Sequence, residues 1–307
     1  MTEMIKEKRK ISSSPLCLIS ALAWGISFPV QEMASRNAHI LDSFGFNGLR
    51  MLLGSLVLIP VVLLFERNEF HLTKKVKSSV LLGALAGLVL FTASSLQQYG
   101  IQLTGESGKA GFITSLYLIF VSIFSFVFFK EKPTLLVLIA MPISLVGLYF
   151  LSFTKGFGQV ETGDLLLLAC AVMYATHIMV LDRSAPHSSP LLFSCVQFFV
   201  AGVLGLIFGG AFGTVTGQGI VNTWFPILFS GVFSVAVAYT CQLLGQKNGN
   251  ATVCALFCSM EALFAVIAEC IMEKHLPTLQ MVIGCSLMLI AVILAQLPKD
   301  IFKKSSH

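Results

Sequence analysis

Two short stretches of sequence resemble each other and point to the architecture: "FFKEKPT" at residues 128–134 and "MEKHLPT" at residues 272–278. Each stretch closes a long apolar run with a few charged residues and then opens another run with Pro-Thr. Proline is tolerated in the first turn of a helix, where its missing N–H would have no partner. The two stretches therefore predict the same helix–hinge–helix unit twice, at positions 144 residues apart.

The composition around these hinges is that of an integral membrane protein. Hydrophobic residues make up 56% of the 307-residue chain, charged residues only 11%, and the mean hydropathy is +0.86. The charged residues form short clusters between apolar runs of about 20 residues, which is the length of a helix that crosses a bilayer. We therefore predict an all-α membrane protein whose ten transmembrane helices span residues 14–34, 44–65, 78–100, 107–128, 134–153, 163–181, 190–212, 223–245, 250–272 and 278–297.

The remaining sequence excludes several classes of function. The loops are too short for a soluble catalytic domain, and no Walker A sequence for binding ATP is present. The eight cysteines fall inside the predicted spans, where they serve as packing residues, and no residue pattern predicts a metal or cofactor. The net charge of +5 reflects basic loops that meet anionic lipid headgroups, so we expect lipid contacts and no nucleic-acid partner.

The basic residues also predict how the chain is oriented. About 15 of them lie in the two tails and the loops on one side of the predicted spans, and about four lie on the other side. An even number of spans places both termini on the same side of the membrane. By the positive-inside rule, that side is the cytoplasm. Each half, residues 1–155 and 156–307, holds five spans, so the second half must be inverted relative to the first. Such inverted repeats are typical of secondary transporters, which bind their cargo near the midplane between the repeats.

Aligning the two halves pairs polar residues inside the spans. The shift of 144 positions sets Tyr117 on Glu261, and a shift of about 150 near the front sets Trp24 on Tyr174 and Ser27 on His177. We expect such pairs to approach the centre from opposite sides.

Longer stretches resemble the ten-helix EamA-type branch of the drug/metabolite transporter superfamily. They are "ALAWGISFPVQEMA" (21–34), "LRMLLGSLVL" (49–58) and "SSLQQYGIQLTGESGKAGFITSLYLIFVSIFSFVFFKEKPT" (94–134). The resemblance is weaker in the second half, where Glu273 and His275 replace the usual Gly-Glu. It implies a secondary transporter with five-plus-five inverted repeats and a central cavity. Because family members carry very different metabolites, the resemblance does not identify the cargo.

Polar and aromatic residues inside the spans are the candidates for a substrate site. Glu261 is the clearest, because a charged side chain at the centre of a membrane helix costs about 2.5–3.5 kcal/mol on insertion scales. His177 could relay a proton, and a buried Tyr hydroxyl needs a partner. For Arg50 we expect a structural ion pair with Asp42 or Glu32. The predicted substrate-binding residues are Trp24, Ser27, Gln98, Tyr117, Tyr174, His177, Tyr239 and Glu261.

The leading hypothesis is a secondary active transporter, in the cell (inner) membrane, that moves a small metabolite or an organic cation by alternating access. Aromatic faces attract cations, and the lone central carboxylate would supply the counter-charge. Export of amino acids or other neutral metabolites is the alternative, and a membrane-embedded lipid-modifying enzyme is a remote one. Expected partners are the small-molecule substrate and a coupling proton, with the chain either a monomer or a homodimer.

Overall fold

The computed structural model describes residues 13–71, 73–152, 161–247, 249–274 and 276–297. Both basic tails and His275, which entered the predictions above, lie outside these ranges. So does Lys155, one of the basic residues counted on the outer side. Short 3-10 helices occupy Arg67–Glu69 and Ala185–His187, and a π-helix occupies Ser230–Tyr239. The α-helices are α1 (Ser13–Ser35), α2 (Ser43–Phe65), α3 (Thr73–Thr104), α4 (Ser107–Ser115), α5 (Tyr117–Phe129), α6 (Leu135–Ser152), α7 (Thr162–Ser184), α8 (Pro190–Phe212), α9 (Gly217–Asn222), α10 (Trp224–Phe229), α11 (Thr240–Lys247), α12 (Ala251–Cys258), α13 (Glu261–Glu273) and α14 (Leu279–Gln296).

These elements confirm the predicted all-helical membrane fold. Within the described ranges, eight helical segments are long and apolar enough to cross a bilayer, and Leu135–Phe150 and Leu279–Ala295 are shorter apolar helices. Together they give the ten helices that the sequence predicts. The largest difference in length is at α3, which the sequence places at 78–100 and which extends by about a turn at each end. The added turns at the two ends of α3 are rich in polar residues, so a prediction based on the length of the apolar run did not include them.

Two of the predicted spans are broken halfway across, which the sequence did not indicate. The span predicted at 107–128 turns at Leu116 between α4 and α5, and the span predicted at 250–272 turns at Ser259 and Met260 between α12 and α13. The two breaks coincide under the shift of 144 positions, so the same irregularity occurs once in each half. Broken helices free backbone groups from the helical ladder, which a membrane interior tolerates only inside the protein or beside a cavity.

A third irregularity is the π-helix between α10 and α11, which α1 packs against. Trp24 Nε1 donates to the carbonyl of Ser234 at 3.0 Å, and Ser20 Oγ donates to the carbonyl of Ala238 at 2.8 Å. The two donors are four residues apart in α1, and the two acceptors are four residues apart in the π-helix. One face of α1 therefore lies along one face of the π-helix. The π-helix is thereby fixed to α1 beside the centre of the fold.

Glycines allow α2 and α8 to pack side by side along their whole length. A side chain at Gly205 would place its Cβ 2.6 Å from the Cα of Gly48, so the two backbones touch. Asp42 caps one end of α2 by accepting from Gly45 N at 2.8 Å. At the other end, Glu66 accepts from the backbone N–H groups at the start of α8. This helix pair forms a rigid wall on one side of the fold.

The described residues of the two hinges share two features. Lys130 directly follows α5 and Lys274 directly follows α13, and each lysine has a φ of 56°, in the left-handed region. In each hinge the threonine that follows the proline accepts from a backbone N–H of the next helix, Thr134 from Val137 and Thr278 from Met281. The similarity of the two sequence stretches therefore reflects one local structure built twice.

Candidate functional site

The irregular elements meet at a small cavity in the middle of the bundle. α1, α2, α3 and α7 complete its walls together with the two broken spans and the π-helix. The volume available inside the cavity is only about 30 Å³, which suffices for two or three water molecules. Any organic cargo needs the walls to move apart. The lining residues are Trp24, Phe28, Gln31, Arg50, Gln97, Thr114, Tyr117, Tyr174, Ile178, Ser234, Tyr239, Gln242 and Glu261.

Five of the eight predicted site residues line this cavity, and four of them are aromatic. Tyr239 Oη donates to Tyr174 Oη at 3.1 Å, and Tyr174 Oη donates to Gln97 Oε1 at 3.0 Å. The indole ring of Trp24 meets the ring of Tyr239 edge to face, with centroids 4.9 Å apart. Tyr117 Oη lies beside the carboxylate of Glu261 without a hydrogen bond of good geometry. The aromatic groups thus surround the cavity and leave one hydroxyl available to a ligand.

Glu261 lies at the first position of α13, directly after the break in its span. Its side chain is 4% exposed, and Ser115 Oγ donates to its Oε1 at 3.4 Å. The start of a helix presents unpaired N–H groups and the positive end of the helix dipole, which stabilise a carboxylate. No cation within 4.0 Å of this carboxylate is found among the residues that the structure describes.

The other three predicted residues are not among the lining residues of the cavity, and each has a hydrogen-bond partner inside the bundle. Ser27 Oγ donates to the carbonyl of Ala23 within α1 at 2.6 Å, and Gln98 Nε2 donates to the carbonyl of Gln31 at 3.1 Å. His177 is completely buried, and its Nε2 lies 3.0 Å from Gln197 Oε1. The contacts of Gln98 and His177 join neighbouring helices, whereas that of Ser27 stays within α1. A substrate-binding role for these three residues stays a prediction.

Arg50 is the residue whose environment the sequence interpretation missed. The expected ion pairs are wrong, since Asp42 caps α2 and Glu32 pairs with Arg36 at 3.4 Å. The guanidinium of Arg50 is instead 2% exposed and lines the cavity. Its Nε donates to Asn47 Oδ1 at 2.7 Å, and no ion pair to a carboxylate is found within the described part of the chain.

One signal in the sequence could have placed Arg50 inside the fold. Asn47, Arg50 and Gly54 recur at spacings of three and four residues, so they share one face of α2. That face carries a hydrogen-bond partner for the guanidinium and a small residue at which another helix packs closely. An arginine about 10 Å from the start of its helix, at 1.5 Å per residue, then points inward rather than to the headgroups.

The cavity offers polar groups and no metal site. Among the described residues no group of three or more His, Cys, Asp or Glu side chains could hold a metal ion. The lining supplies one carboxylate, one guanidinium, amide groups, hydroxyls and aromatic rings. These groups can bind and orient a small polar organic molecule.

Comparison with known proteins agrees with this architecture. A family profile described as the EamA-like transporter family matches the chain in two segments, residues 12–153 and 161–297. The chain belongs to the EamA-like transporter family. The two matched segments are separated by a short stretch between α6 and α7, and together they contain every lining residue of the cavity.

Relatives of this EamA-like chain carry names that describe transporters without a cargo. An uncharacterized transporter of Archaeoglobus fulgidus is 26% identical over 94% of this chain and 87% of its own length. The uncharacterized transporter YvbV of Bacillus subtilis is 23% identical over 94% of this chain and 93% of its own. One crystal structure shares the fold with a TM-score of 0.75 at 17% identity, covering 92% of this chain and 96% of that one. The chain is therefore a multi-pass membrane protein of a transporter family.

Proposed function

We propose that this EamA-like protein is a secondary active transporter of a small organic zwitterion, a molecule with one carboxylate and one ammonium group, such as an amino acid. The observation that carries the proposal is that Arg50 and Glu261 line the same cavity, both buried, with no ion pair between them. Two opposite buried charges are costly unless each gains a partner. A zwitterion supplies both partners at once.

A purely cationic cargo, which the sequence favoured, fits this cavity less well. Glu261 and the aromatic rings would attract an ammonium group, but the Arg50 guanidinium on the same lining would repel it. The planar fork of a guanidinium matches a carboxylate, which it can bind through two parallel hydrogen bonds. Amino acids, the alternative that the sequence left open, therefore become the preferred cargo class.

Alternating access between the two membrane faces supplies the mechanism of the proposal. The cavity lies between the two broken spans and is too small for an organic molecule as it stands. Tyr117 and Glu261, which the repeat pairs, each begin the second part of a broken span. We infer that the halves 1–155 and 156–307 are inverted repeats that rock about this site. A proton gradient or exchange for another cargo molecule drives the cycle.

Binding measurements on the detergent-purified protein test the cargo class. Three matched ligand panels are needed: α-amino acids, the amines that lack their carboxylate, and the acids that lack their ammonium group. An amino acid should raise the Tm the most, because stabilisation grows with ligand concentration over Kd. Glu261→Gln loses the partner of the ammonium group, so the amino acid should no longer bind more tightly than the matching acid. Arg50→Gln loses the partner of the carboxylate, so the amino acid should no longer bind more tightly than the matching amine. A charged hydrogen bond contributes roughly 1.5–3 kcal/mol, so each change should weaken binding about tenfold or more.

The matched control for these variants is Tyr117→Phe, which keeps both charges and the shape of the cavity. It should weaken all three panels to a similar extent. The proposal fails if amines stabilise the wild-type protein more than amino acids do, or if Arg50→Gln leaves the amino-acid response unchanged.

Labelling of introduced cysteines tests the proposed location in the cell membrane with both termini cytoplasmic. Asn68, in the 3-10 helix after α2, and Gln218, in α9, are exposed and belong to opposite ends of the bundle. An impermeant maleimide should label Gln218→Cys in intact cells and Asn68→Cys only in inverted vesicles. The opposite pattern would reverse the orientation and leave the cargo proposal intact.

A further inference from the structure

Two apolar grooves on the outside of the bundle form matched sites, one in each half. The first groove lies between α5 and α6 and has a volume of about 450 Å³. The second lies between α13 and α14 and has a volume of about 550 Å³. Shifting the sequence by 144 positions sets Ile123 on Ile267 and Pro133 on Pro277. It sets five further lining residues of the first groove on lining residues of the second: Ser122 on Val266, Phe126 on Cys270, Lys132 on Leu276, Leu138 on Val282 and Met141 on Cys285.

The hinges explain why these grooves exist. Two helices joined by a short connection usually pack against each other, but α5 and α6 make few contacts with one another, and so do α13 and α14. α6 and α14 pack closely on each other instead. Each hinge contains a lysine with a left-handed backbone and a proline before the second helix, and the second helix of each hairpin runs away from the first. The space left between them opens outward, where side chains such as Ile123 and Val282 are exposed.

Apart from one lysine in each groove, the lining side chains offer an occupant mainly apolar contacts. The hydroxyls among the lining residues are used within the protein: Ser122 Oγ donates to the carbonyl of Leu118 at 3.1 Å, and Ser286 Oγ donates to the carbonyl of Val282 at 2.8 Å. An extended apolar patch on a protein surface marks a site of interaction. In a protein that crosses the membrane, the apolar molecules at such a site are the acyl chains of lipids.

A basic side chain marks the hinge end of each groove. Lys132 lies among the lining residues of the first groove and Lys274 among those of the second, and both are exposed. The hinges lie at the ends of membrane helices, at the depth of the lipid headgroups. A lysine there attracts an anionic phosphate and donates hydrogen bonds to it. The charge at the mouth and the apolar interior complement the two parts of one anionic phospholipid.

We propose that each groove binds one anionic glycerophospholipid. An acyl chain lies between the two helices, and the phosphate lies at Lys132 in the first groove and at Lys274 in the second. The two sites face opposite ends of the bundle, because the hinges follow helices that run in opposite directions. One lipid therefore comes from each leaflet. Each lipid fills the space between the fourth and fifth helices of its half and joins the broken span to the α6–α14 pair.

Native mass spectrometry of the purified chain with defined lipids tests this proposal. Phosphatidylglycerol and phosphatidylcholine with identical acyl chains are the probes. We expect up to two phosphatidylglycerol molecules to stay bound, with at least a several-fold preference over phosphatidylcholine. Lys274→Asn, which tolerates the left-handed backbone, should reduce the number to one, and Lys132→Gln added to it should remove the preference. The matched control Lys77→Asn, at an exposed lysine outside both grooves, should bind two.

A second variant tests the acyl-chain part independently of charge. Val282→Phe fills the second groove and should also leave one bound lipid, whereas Leu81→Phe, on an exposed surface outside the grooves, should leave two. Thermal unfolding of each variant checks that it is folded. Three results would overturn the proposal: equal retention of both lipids, two bound lipids in both Lys274→Asn and Val282→Phe, or a second protein chain occupying the grooves in a dimer.

Discussion

Tyr174 is the central residue of the hydrogen-bond chain that crosses the cavity. It accepts from Tyr239 Oη and donates to Gln97 Oε1, and all three side chains are buried. Replacement by Phe leaves the amide oxygen of Gln97 without its donor. An unsatisfied buried acceptor costs about 1–3 kcal/mol, so we predict that Tyr174→Phe lowers the free energy of unfolding by that amount. Denaturant or thermal unfolding in detergent measures it.

Tyr239→Phe is the matched control for this prediction. It removes one hydroxyl from the end of the same chain and leaves the bond between Tyr174 and Gln97 in place. We expect a smaller loss of roughly 0.5–1.5 kcal/mol, typical of a single net hydrogen bond. A larger loss for Tyr239→Phe than for Tyr174→Phe would contradict the described network.

At this scale the sequence predicted part of the lining and missed part of it. Trp24, Tyr117, Tyr174, Tyr239 and Glu261 could be proposed, because polar or aromatic groups in the middle of a span call for a partner. The environment of Arg50 depends on which face of α2 the π-helix covers. Tertiary packing decides this, and the apolar length of a span does not show it.

Among the elements, the α2–α8 pair depends on the absence of side chains where the helices touch. We predict that Gly205→Ala lowers the free energy of unfolding by about 1–3 kcal/mol, because its Cβ would overlap the backbone of Gly48. Gly210→Ala lies on the same helix and would meet nothing within 4 Å. That control should be neutral or slightly stabilising, since Ala favours a helix more than Gly does. Equal unfolding midpoints for the two variants would show that the helices are not in close contact.

The loop after α2 makes stability depend on pH. Glu69 accepts hydrogen bonds from Lys75 Nζ at 2.7 Å and from Ser189 Oγ, and both lower the pKa of its carboxyl below the usual value. The folded chain then binds this proton more weakly than the unfolded chain does. The stabilisation is complete above the usual glutamate pKa of about 4.3 and is lost as the pH falls through the lower folded pKa.

We therefore predict that the Tm of the wild-type protein falls more steeply below pH of about 4 than the Tm of Glu69→Gln does. Lys75→Gln removes the first of the two partners and should give an intermediate slope. High salt should reduce the difference, because the pair is partly exposed. Parallel curves for all three chains would exclude a role of this ion pair in stability.

At the element scale the sequence predicted the number and order of helices well, since about 20 apolar residues have few alternatives in a bilayer. The breaks at Leu116 and at Ser259–Met260 were not predictable from composition. Neither contains proline or glycine, so each turn depends on contacts with neighbouring helices. The hinges, in contrast, carry Pro-Thr in both copies and were predicted as helix boundaries.

In the whole molecule, α7 is tied to the broken span of the first half at both ends. Lys109 Nζ lies 2.7 Å from Asp164 Oδ1 at one end, and Arg183 Nη2 lies 2.5 Å from Glu131 Oε1 at the other. We predict that each pair holds one end of the cavity closed. The reporter is Thr114→Cys, a cysteine placed on the cavity lining. Lys109→Gln should increase its labelling by an impermeant maleimide from the outer side, and Arg183→Gln should increase it from the cytoplasmic side.

Lys109→Gln and Arg183→Gln variants that keep Thr114 measure the background labelling of the eight native cysteines. Labelling from the same side in both variants, or no increase over the background, would mean that these ion pairs do not act as separate closures. An increase on opposite sides is the result that alternating access requires.

The most direct test of the proposed function is exchange transport in proteoliposomes. Vesicles that contain the purified protein are preloaded with a mixture of unlabelled amino acids, and uptake of the same mixture with a radiolabel is measured. We predict accumulation well above that of protein-free vesicles, and its loss in Arg50→Gln and in Glu261→Gln. Uptake equal to that of protein-free vesicles, or accumulation of organic cations alone that persists in Arg50→Gln, would contradict a site built for a zwitterion.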